Sequence, residues 1–239
     1  MNKYKSSAML KADAKEQLFG KYGTCIGATV IIWLFTMLLT FIPSFLIPMD
    51  SIFNIVIYYL VAFIISLFSG IFVSGQAFFY LKISCGQPVS VGDIFFGFRS
   101  HPDKALLIQM ILSLIVYACL APSIIFSQIF AKDFSAIWML LFSAALILGM
   151  IIYIWVSLLF SQTFYLLQDF PSYSTKQLLK MSGKIMKGHK GRLFYIGMSF
   201  LPLYLLGILS CCIAFLWITP YMNAVMANFY MDIVKNRNN

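Results

Sequence analysis

Lys187-Gly188-His189-Lys190 is the one cluster in this 239-residue sequence that invites a chemical reading. Three cationic groups around a glycine can hold a phosphate or a lipid headgroup, and a histidine titrates near neutral pH. A plain positive anchor at the start of an apolar segment is the more economical account of the same residues. Just upstream, Ser174-Thr175-Lys176-Gln177 has the capping-box pattern, in which serine and glutamine satisfy orphan amides at a helix start. At about 100° per residue, Lys176, Lys180, Lys184 and Lys187 fall in one stripe, and Leu178, Met181, Ile185 and Met186 fall opposite. The pattern predicts an amphipathic helix over about 174–190 lying in the inner headgroup layer. Each lysine adds about 1 kcal/mol of attraction to an anionic surface. Lys176, Lys180, Lys184, Lys187, His189 and Lys190 are therefore the candidate headgroup-binding residues.

A second set is polar but uncharged. Gln76-Ala77-Phe78-Phe79-Tyr80, Gln162-Thr163-Phe164-Tyr165 and Asn228-Phe229-Tyr230 each place an amide before an aromatic pair at the end of a long apolar run. Gln76, Tyr80, Gln162, Tyr165, Asn228 and Tyr230 are candidates to line a shallow inner vestibule. Three hydroxyl residues, Ser6, Ser90 and Ser174, stand 84 residues apart, and each opens a short stretch ahead of a pair of apolar runs. The pattern reads as three units, each an interfacial helix followed by a helical hairpin. Aromatic belts at membrane interfaces would produce similar words without any repeat.

Other chemistries find little support. Intramembrane carboxylates, lysines or histidines are the usual mark of ion coupling or membrane-embedded catalysis, and the apolar runs hold none. Their serines have no His or Lys base nearby in sequence, so a hydrolase triad is not expected. No Cys or His spacing fits a zinc site, and an odd count of five cysteines sets no disulfide framework. The chain is expected not to be an enzyme and to need no cofactor or metal. A net charge of +9 raises nucleic acid as a partner, but no binding module accompanies it, and topology accounts for the charge.

The elements that must position these residues are membrane helices. No Asp, Glu, Lys or Arg occurs in 24–49, 51–81, 105–131, 134–168 or 193–231. About 20 apolar residues cross the roughly 30 Å hydrocarbon core as a helix, and a central lysine costs roughly 3 kcal/mol on insertion scales. A hydrophobic fraction of 61% with 10% charged residues agrees, and the length allows one integral membrane domain, 1–239. The lysine-rich N-terminus reads as a cytoplasmic helix over 1–22 and an uncleaved anchor rather than a signal peptide. Sixteen of the seventeen Lys and Arg residues fall on one side if the last run crosses twice, turning near Ser210-Cys211-Cys212. The positive-inside rule makes that side cytoplasmic. The expected fold is all-α: six spans, about 24–48, 52–81, 105–127, 136–167, 193–210 and 213–233, with both termini in the cytoplasm. A five-span chain would leave Lys235 and Arg237 outside.

The stretches GDIFFGFRS, QLLKMSGKIMKGHKGRLFYI and GILSCCIAFLWITPYMNAVMANFYMDI resemble a family of bacterial integral membrane proteins known as domain of unknown function 975. The resemblance covers nearly the whole chain. It implies a multi-pass protein of the bacterial plasma membrane and supplies no catalytic residues. Two roles follow as expectations. One is a non-catalytic transport, assembly or tolerance factor that engages lipids or hydrophobic peptides. The other is a self-contained permease for a neutral or amphiphilic solute. Anionic membrane lipids are the expected partners, a membrane-protein partner is open, and nucleic acid is not expected.

Overall fold

Serine and proline mark where the helices begin. The computed structural model describes residues 4–237. Ser6 accepts the Met9 amide to open α1 (Ser7–Leu18), and Ser51 accepts the Asn54 amide to open α3 (Ile52–Ser84). Between them lies α2 (Tyr22–Leu46). Ser90 and Asp93 close a capping box over a 3-10 turn, Val91–Phe95, which continues into α4 (Phe96–Arg99). Pro102 starts α5 (Pro102–Phe130), where its missing amide costs nothing. Next come α6 (Ala136–Phe160), α7 (Thr163–Asp169) and α8 (Thr175–Ile185), the last with the expected Ser174–Gln177 box. The chain closes with α9 (Lys190–Met198), α10 (Leu201–Leu209) and α11 (Phe215–Arg237). The described residues contain helices and connections, and no strand.

Five segments are long and apolar enough to cross a membrane: α2, α3, α5, α6 with α7, and α9 with α10. That is the composition of a multi-pass membrane protein. The ends of the helices differ from those expected by a few residues in either direction, and two segments are interrupted, at 161–162 and 199–200. The basic helix is shorter than expected. It stops at Ile185, and the chain turns through Gly188 at φ +87°, a conformation that favours glycine.

Burial is concentrated at one end of the bundle. On α3, every buried residue lies between Gly70 and Ile83, while Ile52, Phe53, Val56, Leu60, Ile64 and Phe68 face outward. Around that buried end pack α1, the 91–99 segment, α7 and α11. Two glycines set the closest approach: a Cβ on Gly75 would stand 1.8 Å from the Ile94 carbonyl oxygen, and one on Gly97 2.1 Å from that of Ile71. The first helix fits the same layer. Its apolar face looks blurred in sequence, yet Leu10, Ala14 and Leu18 recur every four residues and are fully buried, while Met9 and Phe19 point outward.

The last helix is the most enclosed. Ala224, Val225, Ala227, Phe229, Tyr230 and Ile233 are buried, and α11 touches α1, α2, α3 and α10. Small residues such as Ala224 and Ala227 let helices approach closely. A helix shielded by protein can carry Thr219, Asn223, Asn228 and Asp232, which explains why it is less apolar than its neighbours. The turn before it places Cys211 and Cys212 at φ 50° and 70°; both are exposed, and both are free thiols.

Candidate functional site

Three consecutive polar residues, Ser161, Gln162 and Thr163, interrupt the α6–α7 segment. Ser161 Oγ donates to the Leu158 carbonyl at 3.0 Å, and Thr163 Oγ1 donates to that of Phe160 at 2.8 Å. Side chains that bond back to the preceding turn compete with the helical amide ladder and bend it. The break sets the Gln162 side chain into a cavity of about 180 Å³ between α3, α7 and α11, together with Gln76, Tyr165 and Asn223. Gln162 is 1% exposed. Its Nε2 donates to Ser161 Oγ at 2.9 Å, while its Oε1 is buried with no partner.

A second cavity, of about 390 Å³, lies between α3, α5 and α6. Its polar wall includes Ser66, Gln109, Ser113, Tyr117, Tyr153 and Ser157. Ser66 Oγ donates to Ser113 Oγ at 3.1 Å, and Gln109 Nε2 donates to the same oxygen at 3.4 Å. Ser161 and Phe164 line both cavities, so the two adjoin at the helix break. Hydroxyls and amides form the polar surface of both, and no charged residue lines either.

Of the residues expected in an inner vestibule, Gln76, Gln162 and Tyr165 come together. Tyr80 and Asn228 are buried and do not line the cavity, and Asn228 Nδ2 has no partner. Tyr230 stacks on Tyr165 with ring centres 5.3 Å apart and donates to Asp169 Oδ2 at 2.5 Å. Asn223 of α11 supplies the third amide of the cavity.

The basic residues divide into two groups. Lys176, Lys180, Lys184 and Lys187 are exposed. The opposite face of α8 is seated on protein: Leu178, Ser182, Ile185 and Met186 are buried, and Ser182 Oγ donates to the Leu159 carbonyl at 2.9 Å. His189 instead packs edge-on against the Tyr4 ring at 4.5 Å. Burial lowers its pKa, repulsion from Arg192 lowers it further, and Asp232 only partly offsets this. Lys190 lies 3.8 Å above the Trp155 ring, a cation–π contact at the foot of α6.

The family model described as "Protein of unknown function (DUF975)" matches residues 1–237. The chain belongs to that family. No curated protein matches it, and no solved structure matches it.

In this DUF975 protein the strongest polar node was not apparent from the sequence. Asp232, with a side chain 4% exposed, accepts from Arg192 at 2.5 Å and from the Lys5 amide at 3.2 and 3.3 Å. Asn236 Nδ2 donates to it as well, at 3.0 Å. Arg192 also donates to the Lys5 carbonyl and lies over the Phe229 ring. The node ties the N-terminal segment to α9 and α11. A signal was present: Arg192 and Asp232 are the first charges on either side of the apolar run 193–231, and a run that folds back on itself brings its ends together. Among the described residues no group of three His, Cys, Asp or Glu is placed to hold a metal ion.

Proposed function

We propose that this DUF975 member is a six-span protein of the bacterial plasma membrane with both termini and α8 in the cytoplasm. It acts without catalysing a reaction, as a transport, assembly or tolerance factor that holds the uncharged polar part of an amphiphile or hydrophobic peptide. The reading rests on one observation: two adjoining cavities with hydroxyl and amide walls, at the break in α6–α7, where the buried Gln162 Oε1 has no protein partner. A buried acceptor left unpaired costs about 1–3 kcal/mol, which a donor on a ligand would recover.

Six crossings are supported by the path of α11, which brings Asp232 beside Arg192 and Lys5 after α9 and α10 have run the other way. A three-unit plan is supported by Ser6, Ser90 and Ser174, each at an N-cap and each 84 residues from the next. The exposed lysines of α8 suit anionic headgroups, and the apolar outer faces leave room for a membrane-protein partner. A permease for a neutral solute is the second reading, favoured by the way the cavities join end to end.

The test is to extract the protein with its surrounding lipid in polymer-bounded discs and to identify the co-purifying small molecules by mass spectrometry. Wild type should enrich one amphiphile class, and Gln162→Leu should deplete it several-fold while the protein stays folded. Identical profiles would overturn the reading. Flux of a neutral solute through reconstituted vesicles, abolished by the same substitution, would favour the permease.

A further inference from the structure

A third cavity, about 550 Å³, opens between α2 and α3 on the opposite side of α3 from the polar pair. Phe35 and Leu39 of α2 form one wall, and Phe68 and Phe72 of α3 the other. Phe95 and Phe98 close its base, with the Phe72 ring 5.1 Å from that of Phe98 and 5.2 Å from that of Phe35. The seventh lining residue is Arg99, exposed and the only polar one. Among the described residues its guanidinium has no ion pair, whereas the neighbouring Lys82 and Asp93 neutralise each other at 3.0 Å.

Depth gives the groove its meaning. Along α3, Ile52 to Phe72 is about 30 Å of helix at 1.5 Å per residue, the thickness of a bilayer's hydrocarbon. The outward-facing part of α3 ends at that level and the protein-buried part begins at Gly70. Arg99, beside Phe72 and Phe98, therefore stands where the headgroups of the basic-side leaflet would be. A dry aromatic groove running into the hydrocarbon suits an acyl chain. An unpaired guanidinium at its mouth suits a phosphate, which arginine binds through two parallel N–H donors.

We propose that this groove is a binding site for one anionic phospholipid, its acyl chain against α2 and α3 and its phosphate on Arg99. The site is separate from the amide-lined cavities and from the lysine face of α8, so it stands or falls independently of the function proposed above.

The full-length protein in detergent would be titrated with phosphatidylglycerol and, separately, phosphatidylcholine, and the retained lipid counted by native mass spectrometry. Wild type should retain one phosphatidylglycerol in preference to phosphatidylcholine. Arg99→Gln, at an exposed position, should weaken phosphatidylglycerol at least tenfold and phosphatidylcholine, whose phosphate is offset by its choline cation, by less. Leu39→Trp should fill the groove and reduce both. Replacing Lys176, Lys180, Lys184 and Lys187 with glutamine should leave the single retained lipid in place. The proposal is overturned if Arg99→Gln binds as wild type does, if wild type does not distinguish the two lipids, or if only the lysine replacements release the lipid.

Discussion

Arg192 at the start of α9 meets Asp232 near the end of α11 at 2.5 Å, closing the last helical hairpin at the end that also holds Lys5. The two stand 40 positions apart in the chain, joined by an uncharged and largely apolar run, so the pair reports on the tertiary path rather than on local structure. Removing one member of a buried pair leaves the other uncompensated, at a cost of 3–5 kcal/mol; with Arg192 partly exposed, about 3 kcal/mol is expected. Asp232→Ala should lower the midpoint of thermal unfolding in detergent by several degrees. Replacing both residues with Leu and Met should cost less than either single change. An unaltered midpoint in Asp232→Ala would mean that the node does not hold the hairpin closed.

A second expectation concerns Gly75. Backbone atoms lie where its Cβ would be, and backbone cannot rotate out of the way. Gly75→Ala should destabilise the protein by about 1–3 kcal/mol, the usual range for overpacking, and loosen the 91–99 segment from α3. Faster proteolysis between Ser90 and Ser100 would register this. Gly23→Ala, which meets nothing within 4 Å at a helical position, is the matched control and should behave as wild type.

A third expectation is that the His189 ring couples pH to the docking of the N-terminal segment. Tyr4, Arg192 and Asp232 face it, and its folded pKa is depressed below the ordinary histidine value of about 6.5. A depressed histidine favours the neutral form, so its contribution is complete above the unfolded pKa and is lost as pH falls through the folded one. Stability should therefore decline as pH is lowered from about 7 to 5. His189→Gln should flatten that part of the profile, measured as unfolding midpoint against pH. Equal slopes in the two proteins would exclude His189 as the titrating group.

The proposed sidedness, with the basic side in the cytoplasm, has a direct test. In intact cells an impermeant thiol reagent should modify the exposed Cys211 and Cys212 and should not reach Cys85 or a cysteine introduced at Lys184. Labelling at position 184 before permeabilisation would reverse the proposed orientation.

What the sequence determined by itself is whatever depends on local composition. Long uncharged runs dictate apolar helices because a backbone in hydrocarbon must satisfy its own hydrogen bonds. The caps at Ser6, Ser90 and Ser174 act over three residues, and that of Ser174 was legible as a capping box. The lysine stripe of α8 was legible for the same reason, since helical periodicity is local. Tertiary structure alone decided which polar groups meet. Gln76, Gln162 and Asn223 come together from segments far apart in the chain, which no local pattern encodes. The aromatic groove at Arg99 depends on Phe35, Phe72 and Phe98 converging from three elements. The burial of α1 on α11, despite its faint amphipathic pattern, depends on the surface it meets, because a stripe of Leu10, Ala14 and Leu18 gains its stability only where another helix removes it from water.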